Sequence, residues 1–374
     1  MEKALYIHIP FCRRKCVYCA FHSVVYDERT AASYISALTD QIEKLNSPFA
    51  TVYIGGGTPT ALDMPLLEKL LAPIKRFLPA ISEFTVEANP ESLTDEKMAL
   101  FLESGVNRLS IGVQSMREQK LKKLGRLHSA RQAIDAVRRA NKRGFKNINI
   151  DLIYGVWGEE VDSWKKEIRE AVELPVTHIS CYGLTYEKET PLWEAVRNSS
   201  VKPLEDDAAA AMYELAIDSL ALRGFKQYEV SNFAKEGFGC RHNLTYWSND
   251  PYVGLGASAV SYKDGSREEN LSDIDEYIRR CGEGKTLIVS SEKLPPAKRA
   301  KETAAVKIRT KEGIDFEWFR QKTGFDFMEL EKNALPELVE NGLLKYRKEG
   351  NVPMGISLKR KGFLLCDSVS SSFL

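Results

Sequence analysis

Cys12-Arg13-Arg14-Lys15-Cys16-Val17-Tyr18-Cys19 sets three cysteines within eight residues, spaced C-x3-C-x2-C. Thiolates are soft ligands, and a cluster of them suits zinc or an iron–sulfur cluster. No second C-x2-C completes a structural zinc site. Nor is this the C-x2-C-x2-C-x3-C-P run of a two-cluster ferredoxin. Three thiolates can hold three irons of a four-iron cluster and leave the fourth open to a ligand, as catalytic metals keep an open position. The competing readings are chance burial and a disulfide with one thiol left over. Against a disulfide, the other cysteines (Cys181, Cys240, Cys281 and Cys366) are scattered and form no framework.

Working outward, residues 1–185 alternate short apolar β-rich runs with helical patterns. Residues 5–9 read as a strand that feeds the cysteine loop, and 30–45 as a helix. Residues 51–54 are a second strand, ending in Gly55-Gly56-Gly57-Thr58-Pro59. Asp63 caps a helix with Pro65 in its first turn. Further strands are expected at 84–88, 108–113, 147–153 and 178–184. Helices are expected from Thr94 to Gly105, at 130–143 and at 161–172. Six β/α repeats with short loops mean parallel strands and crossover helices. In a barrel of such units the chemistry sits at the C-terminal ends of the strands. The cysteine loop, the glycine run, Glu87 and Asp151 all fall there. The glycine run offers backbone N–H and C=O groups at close range, but it lacks the Lys-Ser/Thr of a P-loop and could be a plain tight turn.

A long helix is expected at 205–222, then a less regular stretch containing Gly254-x-Gly256-x-x-Ala259, which has no clear strand before it. From about Pro295 the pattern changes to three helices (297–309, 315–323, 327–341) and two strands (343–346, 355–358), a small winged-helix-like α+β domain. The division is therefore a barrel core at 1–185, a connecting and barrel-completing region at 186–294, and a C-terminal domain at 295–374. Lys298, Arg299, Lys301, Lys307, Arg309 and Lys311 form a basic run on and beside one helix. A net charge of +1 over 374 residues favours a solvated face over a nucleic-acid site. Met1-Glu2-Lys3-Ala4 leads straight into strand-like sequence, with no signal peptide and no apolar run of spanning length. The expectation is a soluble, cytoplasmic protein.

With an aromatic before its last cysteine, the C-x3-C-x2-C motif resembles that of the radical S-adenosylmethionine (SAM) superfamily. Tyr6-Ile7-His8-Ile9-Pro10-Phe11-Cys12 narrows the resemblance to the branch containing oxygen-independent coproporphyrinogen III oxidase and the HemW haem chaperones. It implies an α/β fold, a partial (β/α)6 barrel, and a 4Fe–4S cluster on Cys12, Cys16 and Cys19. The open iron would be chelated by the amino and carboxylate groups of SAM. By positional match Tyr6, Gly56, Gly57, Thr58, Glu87, Gln114, Arg126 and Asp151 line the SAM site. Carboxylates there can hold ribose hydroxyls or the ammonium, and Arg126 the carboxylate. Each single polar residue could equally be an ordinary strand-end hydrogen bonder.

His242-Asn243-Leu244-Thr245-Tyr246-Trp247 matches the His-Asn-x-x-Tyr-Trp motif of HemW-type proteins, which the resemblance links to haem. Imidazole is a good axial ligand and aromatics pack on a macrocycle. By itself the run reads as a core or interface histidine, with Cys240 as an alternative thiolate ligand. The glycine pattern at 254–259 is implied to supply backbone at the rim of the active site. Two departures turn the resemblance away from the oxidase. Phe21 stands where the oxidase carries a fourth cysteine, and the first strand begins too early for the oxidase's N-terminal extension. The expectation is a haem-binding chaperone that serves client haemoproteins such as respiratory enzymes, without oxidase activity, without nucleic acid, and meeting membranes only through its clients. The alternatives are oxidative decarboxylation in haem biosynthesis, or a radical SAM enzyme acting on RNA.

Overall fold

The computed structural model describes residues 4–263 and 265–374, so the Met1-Glu2-Lys3 run lies outside the described residues. Its centre is a run of parallel strands in chain order: β1 (Ala4–Ile9), β2 (Thr51–Gly56), β3 (Glu83–Ala88), β4 (Arg108–Gln114), β5 (Asn147–Tyr154) and β6 (His178–Gly183). Successive side chains along a strand point to opposite faces, and here the faces differ in chemistry. Ile7, Ile54, Val86, Leu109 and Ile148 lie side by side in the register and form one apolar layer. The crossover helices cover it with Leu38, Leu70, Phe101, Val137 and Ile168 in a single core. On the other face Glu87, Ser110, Asn149 and His178 are register partners, as are Asp151 and Ser180. The sheet therefore has a dry outside under helices and a polar inside.

The helices begin where their caps dictate. Asp27 accepts from the Thr30 N–H and starts the first one at Glu28, slightly before the expected 30. Ser129 and Gln132 form a capping box for Ala130–Arg143, and Gly144 ends it with φ 120°.

The stretch read as less regular supplies both flanks of the sheet. β7 (Lys226–Gln227) and β8 (Asn232–Ala234) extend it antiparallel beyond β6. β9 (Tyr252–Leu255) lies parallel to β1 on the opposite side, followed by the antiparallel strands β10 (Val260–Lys263), β11 (Ser266–Asn270) and β12 (Ile288–Lys293). Among the described residues the resulting twelve-stranded sheet does not close. Gly254, which the sequence left without a strand, sits inside β9. A Cβ there would lie 2.1 Å from the Val260 carbonyl oxygen.

From Pro296 on, Pro296–Lys307 and Phe316–Thr323 pack on a sheet of Ile314–Asp315, Val352–Leu358 and Leu344–Glu349. Ile308, Phe319, Leu344, Ile356 and Phe373 form a second core there. The helix expected over 327–341 is two pieces, Phe327–Leu330 and Leu335–Glu340, because Pro336 cannot continue a helix and starts a new one instead. Arg360–Leu364 and Cys366–Ser371 add two short helices the sequence did not suggest. Much of the basic run is engaged: Lys307 lies over Trp318, Lys311 over Phe363, and Arg309 over Trp247 while it pairs with Asp367. Among the described residues no helix is long and apolar enough to cross a membrane.

Candidate functional site

The polar inside of the sheet surrounds a cavity of about 570 Å³. The β4 sequence Arg108-Leu109-Ser110-Ile111-Gly112-Val113-Gln114 explains how one strand builds a wall of it. Arg108, Ser110, Gly112 and Gln114 line the cavity from floor to mouth, while Leu109, Ile111 and Val113 are buried on the other side. At the end of β4 the register shifts and Gln114 takes φ 61°, a left-handed conformation uncommon for a residue with a Cβ. A Cβ on Gly112 would sit 2.9 Å from Asn89 Oδ1 and from Gln114 Nε2, so a side chain there would have to push those two groups aside.

Cys12, Cys16 and Cys19 all border the mouth, and none is in a disulfide. Burial pushes the Cys12 and Cys19 thiols up, so a bound metal would have to displace their protons. Among the described residues no three His, Cys, Asp or Glu side chains crowd one point as a single-ion site requires. A cluster seats each thiolate on its own iron, so the three-thiol donor set at one cavity mouth fits a cluster. Phe21, two residues on, is 71% exposed at the same mouth.

The glycine run is pressed against this loop. A Cβ on Gly56 (φ 109°) would lie 2.6 Å from the His8 ring, and one on Gly57 would lie 2.8 Å from the Phe11 carbonyl oxygen. The N–H groups expected to be free are taken. Gly56 donates to Glu87, Gly57 to the Ile9 carbonyl and Thr58 to the Phe11 carbonyl. The Thr58 hydroxyl accepts from Asn89 and lies 3.5 Å from Cys12 Sγ, so what these three residues can still offer a ligand is carbonyl oxygen, which suits a ligand that donates, such as an ammonium.

Glu87 accepts from the Tyr53 hydroxyl at 2.7 Å and from Gly56 N at 3.1 Å. Burial, seconded by the charge of Asp151, nevertheless lifts its pKa to about 7. Burial also raises that of Asp151, against hydrogen bonds from Asn149 and Ser110. Arg126 donates to Asn89 Oδ1 at 2.5 Å, to the Gly112 carbonyl at 3.0 Å and to Cys16 Sγ at 3.4 Å. It links the cysteine loop to the wall. Gly56, Gly57, Thr58, Glu87, Gln114, Arg126 and Asp151 thus line one cavity with the three cysteines.

Tyr6 is not on that lining. Its hydroxyl bonds His8 Nδ1 at 3.0 Å, and its ring packs on Tyr53. Residues 254–259 do not reach the lining either. The sequence reading missed Asn89, Arg108, Gly112 and Asn149, although the polar–apolar alternation of β4 and β5 points to three of them.

His242 stands at the opposite end. The helix Arg241–Trp247 lies across the N-terminal ends of β2 and β3, where Glu83 accepts from the Arg241 and His242 amides at its start. His242 is 1% exposed. Its Nδ1 is 2.9 Å from Thr51 Oγ1 and its Nε2 is 2.8 Å from the Tyr246 hydroxyl, so neither ring nitrogen is open to iron in this conformation. Burial lowers its pKa to about 3, which keeps the ring neutral. Cys240 is buried, with its thiol directed at Glu83 and its pKa pushed up to about 12, again by burial. It is not a ready thiolate. Of the His-Asn-x-x-Tyr-Trp run, Asn243 is the residue that reaches the cavity.

The chain matches the model of the radical SAM superfamily over residues 6–172 and that of the HemN C-terminal domain over 294–365. It is 37% identical to a heme chaperone HemW of Lactococcus lactis, over 99% of this chain and 96% of that protein. It is 35% identical to one of Bacillus subtilis, over 100% and 99%. A bovine mitochondrial protein named for its radical S-adenosyl methionine domain is 31% identical over 99% of this chain and 87% of its own. Among solved structures, coproporphyrinogen III oxidase from Escherichia coli superposes with a TM-score of 0.85 at 20% identity, covering 100% of this chain and 90% of that one. At that identity the likeness speaks for the fold.

Proposed function

Because the chain belongs to the HemW family of the radical SAM superfamily, we propose that it is a haem chaperone on a radical SAM scaffold. In this reading it holds a 4Fe–4S cluster at Cys12, Cys16 and Cys19 and binds SAM at the open iron. It carries haem and hands it to client haemoproteins, respiratory enzymes among them, in the cytoplasm. The observation that carries the cofactor part is the single cavity joining the three thiols to Glu87, Gln114, Arg126 and Asp151. The carrier part rests on full-length likeness to proteins named heme chaperones, and on Phe21 at the mouth in place of a fourth thiol.

A bound cluster supplies one-electron chemistry at a metal that accepts a chelating ligand. The protein's own residues do the rest. Glu87, Asp151 and the glycine-run carbonyls receive ammonium or hydroxyl donors. Arg126, already oriented by Asn89 and Gly112, meets a carboxylate without a large ordering cost. Ligation of haem iron by His242 through Nε2 requires its bond to Tyr246 to open first, while Nδ1 can keep Thr51 as its partner.

The test is an anaerobic haem titration of cluster-loaded protein, wild type beside His242→Ala, read by absorption. Saturable stoichiometric binding supports the carrier. A spectrum altered in the variant assigns the ligand, and an unaltered one moves the ligand elsewhere. Absence of saturable binding refutes the carrier, and carbon dioxide release from coproporphyrinogen III is then the activity to measure.

A further inference from the structure

The cavity continues below the residues assigned to SAM, and its floor holds a charge with no role so far. Arg108 opens β4, is 2% exposed, and lines the cavity. Its Nε is buried without a hydrogen-bond partner. The carboxylates near it are engaged elsewhere. Glu83 accepts from Cys240, Arg241 and His242. Glu87 is held by Tyr53 and Gly56, and Asp151 by Asn149 and Ser110. Cys240, Tyr53 and Tyr228 also face the guanidinium, and burial keeps all three protonated and neutral. Glu83, Glu87 and Asp151 feel the charge of the guanidinium, but among the described residues no carboxylate makes an ion pair with it, and a buried cation without such a partner is costly to a fold. The rest of the floor is polar and knitted together: Asn149 donates to Ser110 and Asp151, Ser110 donates to Asp151, and Ser180 donates to Asn149.

We propose that the floor of the barrel is a carboxylate-binding site, in which the Arg108 guanidinium takes the anion. The guanidinium fork matches the two oxygens of a carboxylate. The ligand enters past the cysteine loop, so its carboxylate is either that of a small free acid or the tip of a flexible arm on a larger molecule. Haem carries such arms as its propionates; that version rests on the carrier reading, and the free-acid version does not.

The test uses cluster-loaded full-length protein under anaerobic conditions, with haem, haem dimethyl ester and sodium propionate as probes. Wild type is expected to bind haem about tenfold more tightly than the ester, the margin of a lost charge-assisted bond. Arg108→Gln is expected to bring the two within about twofold, a margin too small for a charge-assisted bond. Propionate that raises the wild-type melting temperature, but not that of Arg108→Gln, identifies a free acid as the source. If the glutamine variant fails to fold, Arg108→Lys, which keeps the charge and loses the fork, is expected to narrow the preference for haem over the ester, and an unchanged preference overturns the role of the fork. Haem binding with no preference over the ester, together with no propionate effect on wild type, overturns the site and leaves the carrier standing. Arg108-dependent propionate binding without haem binding sinks the carrier and leaves the site.

Discussion

Glu87→Gln is expected to weaken SAM binding at pH 8 by roughly ten- to a hundredfold and to flatten its pH dependence. The wild-type carboxylate receives only Tyr53 at 2.7 Å and Gly56 at 3.1 Å, and burial leaves it half-protonated near pH 7. A ligand that donates to this carboxylate needs the ionised form, so its apparent Kd carries a factor of 1 + 10^(pKa − pH). That factor is about 11 at pH 6 and about 1.1 at pH 8, a tenfold tightening or about 1.4 kcal/mol. The same shift has a stability consequence of opposite sign. The native state keeps a proton that the unfolded state has released, so stability falls as pH rises from the ordinary carboxyl pKa of 4.5 to about 7. The fall is up to roughly 3 kcal/mol in ligand-free protein. Gln removes that slope and also turns an amide N–H toward the Tyr53 hydroxyl or the Gly56 amide, losing the charge-assisted bond. Anaerobic calorimetry of cluster-loaded wild type and variant with SAM at pH 6, 7 and 8 measures both affinities. Equal wild-type affinity at pH 6 and 8, or wild-type affinity in the variant, refutes the assignment of Glu87 to the ligand.

Ala at any of Cys12, Cys16 or Cys19 is expected to abolish the iron–sulfur absorbance after reconstitution; a full four-iron complement in such a variant overturns the ligand set. Lys120 bridges Glu159 at 2.5 Å and Glu167 at 2.8 Å, all three nearly fully buried. Lys120→Met leaves two buried carboxylates unpaired, and chemical denaturation should show a loss of about 3–5 kcal/mol. His242 has its pKa lowered to about 3 and His8 to about 4, and burial depresses His178 as well. All three stay neutral when folded and take up protons when unfolded below about pH 6.5, so stability falls as pH drops through that value. His242→Gln should remove about 1.4 kcal/mol per pH unit from that acid slope, and an unchanged slope between pH 6 and 5 contradicts the buried neutral ring.

The parallel core was legible because its signals are local: apolar runs, caps and terminal glycines mark each β/α unit. The flanks were not. β9 (Tyr252–Leu255) pairs with β1 from more than 240 positions along the chain, and no local pattern states that partner. Of the eight residues expected at the SAM site, seven line the cavity; the glycine run, Glu87 and Asp151 were legible as strand ends, Gln114 and Arg126 only through the resemblance. The floor was legible in principle. Arg108-Leu109-Ser110-Ile111-Gly112 and Asn147-Ile148-Asn149-Ile150-Asp151 alternate at period two, which in a parallel sheet buried on both faces means a polar interior. Read only for strand ends, that alternation yields Asp151 and loses Arg108 and Asn149.

His242 exposes the limit of motif reading most directly. Histidine, tyrosine and tryptophan together fit an iron ligand with its aromatic surround, and they fit equally well a buried ring whose nitrogens are both occupied. The difference lies in Thr51 and Glu83, residues remote in sequence that hold the ring and cap its helix. Because the same helix sends Asn243 into the cavity, the motif and the cysteine loop bound one space from opposite ends. Freeing Nε2 from Tyr246, about 1 kcal/mol in net terms, and turning the ring toward iron would loosen the helix beneath the Arg108 floor. Iron ligation by His242 and a closed floor therefore compete. The two spectra of the haem titration, wild type and His242→Ala, report which of them the loaded protein adopts.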